Sequence, residues 1–359
     1  MKRYLLPAVL LLAVIGLAYL AVFRSARPRV LARVEGELLS PPSGNGRWVA
    51  WLEGDSQEAR LVVARRHRDR PRVAFSAAGL SGLAVAGDSA FLTRTTEAAG
   101  GEPEVSLLRV DLSGGAAEEV GRIERSARQI VWGDGWLCWR EYWEAALPDV
   151  SFVVAAAPLT VVRACREDGR DLHTLDAVTA GGRDSGDHLE LIGIASQHAY
   201  WLDRRAAGDV DSTAIRRIAL PDGRPQVLAR EPGRRTAALS RRALFWSAPS
   251  LEAAEPMQFA SVKRLRLDDP ETKVIADWLD SRVAVLASET DAYAQGRHWL
   301  WRLGDGRGKQ RHLCGVAAGQ GGAVVLGDEE YLVIRSAGGL SVARRPLTCS
   351  ARVRTVFSL

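Results

Sequence analysis

Short apolar runs recur along the chain, and polar residues typical of turns separate them. In one unit, His198–Leu202 is aromatic and apolar, Ala214–Leu220 alternates in polarity, and Gln226–Ala229 forms a third run. Pro221-Asp222-Gly223 separates the last two runs, and Asp and Gly tolerate the backbone angles of a tight reversal. The unit therefore predicts three short strands, the last two of which form a hairpin.

The aromatic run of this unit occurs seven times, at intervals of 39 to 63 residues. Its copies are Trp48–Trp51, Ala90–Leu92, Trp136–Trp139, Ala199–Trp201, Ala243–Trp246, Ala292–Ala294 and Tyr331–Val333. A basic residue recurs in the third run of four units, as Arg109, Arg163, Arg217 and Arg264. A β-propeller blade has four strands and about 40–50 residues. The repetition predicts an all-β fold, a seven-bladed β-propeller over residues 33–359, or six blades if one repeat is an irregular closure.

The predicted propeller begins soon after the N-terminal segment. Residues 25–32 are predicted to be a linker, and Arg33–Leu39 the first inner strand. Pro41-Pro42-Ser43-Gly44-Asn45-Gly46 is predicted to be a turn that leads into Trp48, because Pro, Gly and Asn favour turns. No amphipathic helix and no internal domain boundary are indicated after Arg24.

The first 24 residues have a different pattern. Met1-Lys2-Arg3 precedes an uncharged run over residues 4–23, which is long enough to span a bilayer as a helix. The end of the run lacks a small-residue cleavage site, so a signal anchor is favoured over a cleaved signal peptide. Basic residues on both sides of the run leave its orientation open. We expect a bacterial envelope protein, anchored through residues 4–23, with its propeller in the periplasm or outside the cell.

Composition narrows the range of partners. The chain has 48 basic and 43 acidic residues and a net charge of +5, and only four of the basic residues are lysine. Abundant Arg with scarce Lys fits a GC-rich bacterial genome. Charges of both signs are interspersed rather than gathered into a basic stripe. The basic excess therefore does not indicate a nucleic-acid partner.

The unit at residues 198–229 carries a family resemblance. Tyr200-Trp201-Leu202-Asp203, the strand that contains Arg217 and the Pro221-Asp222-Gly223 turn resemble the repeats of TolB-like and YWTD-like bacterial β-propellers. The resemblance covers about residues 33–359 and implies the propeller fold. It implies no activity, because function lies in sites that differ among proteins of one fold.

The sequence contains no recognised catalytic motif: neither HExxH nor Gly-x-Ser-x-Gly occurs. Gly304–Lys309 has the glycines of a phosphate loop, but no Ser or Thr follows its lysine and it joins two predicted strands. We therefore predict a hairpin turn there. No catalytic residue, cofactor or metal site is predicted.

Two polar loops carry groups that can bind a metal ion. Asp203, Asp209 and Asp211 lie in one loop and offer the oxygen ligands that Ca²⁺ requires. Asp184, Asp187 and His188 lie in another loop, and a histidine beside two carboxylates is the set of groups that a metal site or an acid–base pair needs. The three aspartates do not have the spacing of a full Ca²⁺ loop, and solvated loops are the favoured interpretation of both segments.

The predicted topology places the long loops on one face. In a four-stranded meander, the loop from the second to the third strand and the link to the next blade open on the same face. We call this the loop-rich face and the opposite one the short-turn face. The long loops are Arg140–Pro158, Ala177–His188, Arg204–Ser212 and Ser247–Ala260. Because rigid scaffolds carry binding residues on loops, the candidate binding residues are Tyr142, Trp143, Phe152, Asp187, His188, Asp209 and Asp211.

Aromatic residues are concentrated between positions 132 and 143. Trp132, Trp136 and Trp139 lie on predicted strands, so we expect them to pack between blades. Tyr142 and Trp143 follow the strand, where an aromatic side chain can stack on a sugar or anchor a partner. These features favour a non-enzymatic binding or scaffolding protein with a protein or glycan partner. The alternative is a glycan hydrolase or lyase with acidic residues at the channel, for which carboxylates about 5–10 Å apart would be needed.

We predict that the four cysteines form at most one disulfide. Cys138 and Cys165 lie on the second and third predicted strands of one blade and are the better candidates. Their α-carbons would lie within about 7 Å of each other if they were bonded. Buried free thiols are the alternative.

The predicted start of the first blade also orients the propeller. An extended linker of about nine residues between Phe23 and Arg33 reaches roughly 30 Å, which would place the loop-rich face close to the bilayer. Tyr142, Trp143 and Phe152 would then lie at the interface, where aromatic residues are common. The alternative is that Phe152–Pro158 extends its hairpin and packs on a neighbouring blade.

Overall fold

The structure is a computed structural model. It describes residues 28–346 apart from 56, 69, 98–102, 126, 128, 144–158, 180–188, 205, 208–209, 251–258, 281–282, 289–291, 297–298, 304–310, 315–322, 327–328 and 337–338. The described residues form 29 β-strands, numbered β1 to β29, and contain no helix.

The strands form seven antiparallel sheets, which are the seven predicted blades. Blade 1 contains β2 (Glu37–Gly44), β3 (Trp48–Gly54), β4 (Ala59–Arg65) and β5 (Arg72–Ala77). Blade 2 contains β6 (Leu80–Ala86), β7 (Ser89–Glu97), β8 (Pro103–Asp111) and β9 (Ala117–Ile123). Blade 3 contains β10 (Gln129–Gly133), β11 (Trp136–Trp143), β12 (Leu159–Arg166) and β13 (His173–Thr179). Blade 4 contains β14 (Leu189–Ala195), β15 (His198–Asp203), β16 (Ala206–Ala207), β17 (Val210–Ala219) and β18 (Gln226–Pro232).

The remaining blades repeat the same order. Blade 5 contains β19 (Ala237–Leu239), β20 (Ala243–Pro249), β21 (Phe259–Arg266) and β22 (Asp269–Asp280). Blade 6 contains β23 (Ala284–Ala287), β24 (Ala292–Gln295), β25 (Trp299–Leu303) and β26 (Arg311–Cys314). Blade 7 contains β27 (Ala323–Leu326), β28 (Glu329–Ser336), β29 (Gly339–Pro346) and, as its outer strand, β1 (Arg29–Arg33).

The first strands of the blades form a closed inner ring. Each contacts the first strand of the next blade, and β27 of blade 7 returns to β2 of blade 1. Glycines allow this close approach: a Cβ atom on Gly133 of β10 would lie 2.3 Å from the carbonyl oxygen of Ile194 in blade 4. The ring confirms the predicted seven blades and rules out six.

All seven predicted aromatic runs lie on the second strands of the blades. Such a strand has a neighbour on each side within its sheet and an adjacent blade on each face. Its residues are therefore buried on both faces, and every residue of Trp48–Gly54 is buried. Apolar clusters join successive blades, as where Leu52 and Leu61 pack with Leu92. The predicted pattern reflects packing between blades.

Two predicted boundaries at the N-terminus differ from the structure. The last four residues of the predicted linker and Arg33 form β1, which pairs with β29 from Arg29–Arg344 to Arg33–Ser341. This pairing covers the edge of β29, which would otherwise leave its backbone groups unpaired. The first inner strand is Glu37–Gly44, so it includes Pro41–Gly44 of the predicted turn, and its register with β3 is irregular there. Proline has no N–H to donate, so irregular pairing is expected. Asn45 and Gly46 do form a turn before Trp48.

The position of β1 also changes the predicted orientation. As an outer strand, β1 runs from the short-turn face to the loop-rich face, where residues 34–36 lead into β2. The described chain therefore begins at the short-turn face, beside Arg344. The prediction that the chain reaches the propeller at the loop-rich face is wrong, because it did not foresee a strand before the first blade. Within the described residues, no helix is long and apolar enough to cross a membrane.

Candidate functional site

The structure tests only part of the predicted binding face. Phe152, Asp187, His188 and Asp209 lie outside the described residues. Asp211 belongs to β17, where it opposes Ala206 of β16 in a short hairpin. That loop is therefore partly a continuation of the sheet.

Tyr142 and Trp143 lie on a strand rather than in a loop. They end β11, whose pairing with β12 continues to Trp143–Leu159. Trp143 is only 6% exposed, and the guanidinium carbons of Arg125 and Arg163 lie 5.1 and 5.8 Å from its ring centroid. The ring is thus already covered and does not form an open stacking platform. Tyr142 is half-buried.

Glu141 explains why Trp143 turns inward. Its carboxylate is fully buried and accepts hydrogen bonds from the indole nitrogens of Trp139, at 2.8 Å, and Trp143, at 3.1 Å. The Nε atom of Arg163 lies 3.1 Å from the same carboxylate. Burial raises the pKa of Glu141, and the hydrogen bond from Trp139 and the charge of Arg163 oppose this. The cluster is an internal support of blade 3.

Similar buried ion pairs occur in other blades. Asp203, one of the three aspartates that offer oxygen ligands for Ca²⁺, is 3% exposed and lies 3.0 Å from Arg216 Nε. The carboxylate pairs with basic partners are Glu53–Arg60, Glu141–Arg163, Asp203–Arg216, Glu231–Lys263 and Glu330–Arg345. Of the basic residues that recur in the third runs of the sequence, only Arg163 forms such a pair; in blades 4 and 5 the paired residues are the preceding Arg216 and Lys263. These carboxylates support the fold, and they are not the acidic pair that the enzymatic alternative expected at the channel.

The two candidate disulfide cysteines are free and buried. Cys138 opposes Ala164, whereas Cys165 opposes Leu137. Opposed residues share a face of the sheet and successive residues alternate, so the two thiols point to opposite faces. The predicted disulfide is therefore wrong, because Cys165 lies one residue beyond the position opposite Cys138. Burial raises the pKa of Cys165 to about 12, which leaves the thiol protonated near neutral pH.

The central channel opens at the short-turn face as a cavity of about 1040 Å³. Side chains from four blades give this mouth its polar character: Arg66, Trp132, Asp134, Gln197 and Arg241. Asp134 has a φ of +52° and precedes Gly135, with a φ of +76°, as a tight hairpin turn requires. Asp134 is the sole carboxylate among the described residues that line the mouth.

Trp132 differs from the other tryptophans nearby. Trp136 and Trp139 are buried between blades, as predicted, but Trp132 is 38% exposed. Its indole nitrogen donates a hydrogen bond to Glu167 at 3.2 Å. The prediction that Trp132 packs between blades is therefore wrong, because Trp132 lies on the inner strand, which borders the channel. This contact leaves an aromatic surface at the mouth.

Asp134 and Gln197 are held together across blades 3 and 4. The backbone N–H of Gln197 donates to Asp134 Oδ2 at 2.8 Å, and the Gln197 side chain accepts a hydrogen bond from Trp136 at 3.3 Å. On the other side, Arg66 lies 3.5 Å from Glu329 of blade 7. The polar groups of the mouth are thus positioned by contacts between blades. The described residues include no cluster of three or more His, Cys, Asp or Glu side chains suited to a metal ion.

A closed ring of seven antiparallel blades around a channel defines a seven-bladed β-propeller protein. No protein-family model and no curated protein matches the chain. The chain is similar to an oligogalacturonate lyase from Vibrio parahaemolyticus, with a TM-score of 0.62 and 8% identity over 89% of this chain and 93% of that one. An oligogalacturonate lyase in complex with manganese gives a TM-score of 0.59 and 9% identity, over 86% and 88%. Pyrococcus horikoshii acylaminoacyl peptidase gives 0.58 and 14%, over 94% of this chain and 54% of that one.

These similarities establish the fold. They do not establish a function, because proteins that share a fold at such low identity differ in function. The similar structures are seven-bladed propellers, in agreement with the predicted fold. They do not specifically confirm the TolB-like resemblance. The proteins compared are enzymes, a lyase and a peptidase.

Proposed function

We propose that the propeller recognises an acidic oligosaccharide at the channel mouth of the short-turn face. The observation that carries this proposal is the exposed ring of Trp132 in the same cavity as Arg66 and Arg241. An aromatic face packs against the apolar face of a sugar, and guanidinium groups bind carboxylates in a planar fork. The cavity has the size of a small-molecule site.

Cleavage of the glycan is favoured over a purely scaffolding role. The similar solved structures include two oligogalacturonate lyases, which supports the enzymatic alternative more than the non-enzymatic one. In an eliminating lyase, a base takes the proton beside the uronate carboxyl group, a carbon–carbon double bond forms, and the glycosidic oxygen leaves and is protonated. Asp134 is the described mouth carboxylate to which we assign the base.

To test this, the full-length protein is incubated with oligogalacturonate, with and without Mn²⁺. Calorimetry measures binding, and ultraviolet absorbance measures the unsaturated product. A neutral oligosaccharide of equal length is the control ligand. We expect binding that falls at least tenfold in Trp132→Ala, a loss of about 1.4 kcal/mol, and product formation that Asp134→Asn abolishes. Binding without product would identify a binding module. No binding would overturn the proposal.

Further proposals concern the location of the protein and its partners. We propose export to the bacterial envelope and anchoring through residues 4–23, on the basis of the uncharged run. A protein or glycan partner on the loop-rich face is a further role of the same scaffold, supported by the length of its loops. We propose no nucleic-acid partner, because charges of both signs are interspersed.

A further inference from the structure

A second cavity, of about 790 Å³, lies at the rim of the short-turn face. We call it the rim pocket. Five arginines line it: Arg29, Arg65, Arg68, Arg70 and Arg72. They come from β1, from β4 and β5, and from the turn between β4 and β5. The described lining includes no carboxylate, and Asp69 of the same turn lies outside the described residues.

Part of the rim pocket is fixed before any ligand arrives. The guanidinium carbon of Arg65 lies 5.2 Å from the ring centroid of Trp48, and the Trp48 indole donates a hydrogen bond to Asp88 at 2.7 Å. Arg72 donates a hydrogen bond to the carbonyl oxygen of Ser113 at 2.7 Å. Such fixed cations lose little conformational freedom when they bind an anion.

Arg68 and Arg70 complete the pocket from the turn. Both are exposed, and neither forms an ion pair with a described residue. Cations that line one pocket repel each other, which opposes folding rather than supporting it. A cluster of this kind is therefore expected at a binding site for a polyanion, where the ligand relieves the repulsion.

The rim pocket and the channel mouth border the same part of blade 1. Arg66 lines the mouth and Arg65 the rim pocket, and the two are adjacent in the chain. Asn45 and Gly46 line the mouth, and Trp48 follows them into the rim pocket. The two cavities thus flank the same two turns of blade 1. A ligand that extends from the mouth over these turns would approach the arginines of the rim pocket.

We infer that the rim pocket is a second subsite for the acidic glycan, binding carboxylates of sugar units further along the chain. This inference rests on the proposed function. It makes the ligand a polyuronate long enough to span both cavities. The guanidinium forks of Arg68 and Arg70 can each take one carboxylate in a bidentate pair.

The test compares short and long oligogalacturonates on the full-length protein by calorimetry. The variant is Arg68→Ser with Arg70→Ser. The matched control is Arg170→Ser with Arg224→Ser, at exposed arginines in the corresponding turns of blades 3 and 4. We expect the long ligand to bind wild type and control at least tenfold more tightly than the short one. In the Arg68/Arg70 variant this length advantage should disappear while short-ligand affinity is kept.

Melting temperatures give a second readout. Without ligand, the Arg68/Arg70 variant should melt no lower than wild type, because repulsion is removed, whereas the long ligand should raise its melting temperature less. If short and long ligands bind wild type equally, or the variant keeps the length advantage, the inference is overturned and the proposed function stands. If wild type binds neither length, both fail. The affinity for a neutral oligosaccharide of the long length should be the same in wild type and in the Arg68/Arg70 variant.

Discussion

At the scale of single residues, buried polar groups matter most for stability. Glu141 is fully buried with two indole donors and the Arg163 guanidinium around it. We expect Glu141→Ala to lower the free energy of unfolding by about 2–4 kcal/mol, because it leaves two buried indole donors without their acceptor, whereas Arg163 keeps Glu124 as its partner. Urea denaturation measures this change. Glu118→Ala, in an exposed pair with Arg109, should change it by less than about 0.5 kcal/mol.

The same residue contributes to pH dependence in a defined direction. Burial raises the pKa of Glu141, so the folded protein binds this proton more tightly than the unfolded chain. Its contribution to stability is therefore greatest below the ordinary carboxyl pKa and declines as pH rises through the folded value. Glu141→Gln should flatten this part of the stability curve. An unchanged curve would show that the carboxylate titrates alike in both states.

At the scale of elements, closure of the ring depends on β1. The strand opposes β29 at four residue pairs, and Val34 donates a backbone hydrogen bond to Leu340. We expect a chain that starts at residue 35 to lose about 3–5 kcal/mol of stability, at about 1 kcal/mol for each lost hydrogen bond. It should also aggregate through the uncovered edge of β29.

A chain that starts at residue 28 is the matched control for β1. It keeps the strand, so its urea midpoint should equal that of the full chain. Equal midpoints for the two shortened chains would show that β1 adds nothing to closure.

At the scale of the whole molecule, the position of β1 determines which face meets the predicted anchor. Residues 24–28 reach at most roughly 20 Å when extended, so an anchor at residues 4–23 would hold the short-turn face near the bilayer. A fluorophore on Arg170→Cys, at this face, should then transfer energy to labelled lipid headgroups more efficiently than one on Glu97→Cys, at the loop-rich face. Both would be made in a Cys314→Ser, Cys349→Ser background, since Cys138 and Cys165 are buried. Equal or reversed transfer would contradict this orientation.

The sequence by itself determined the blades. Seven aromatic runs predicted seven second strands, because a strand buried on both faces needs apolar residues wherever it occurs. Tyr200-Trp201-Leu202 and the turn at Pro221-Asp222-Gly223 were placed correctly for this local reason. The faces of the propeller followed from strand order alone. Strands, turns and their order depend on residues that are close together in the chain, so the sequence is enough to predict them.

Only the tertiary structure decided what joins distant parts of the chain. Arg29–Arg33 has no strong strand pattern, and it becomes a strand because the edge of β29, three hundred residues later, needs a partner. Cys138 and Cys165 were assigned to the correct strands, but their faces depend on a register that no local pattern states. The channel mouth and the rim pocket gather residues from several blades, because ring closure brings turns together that are far apart in sequence. The polar residues of a site are therefore visible in the sequence, and their convergence is decided by the fold.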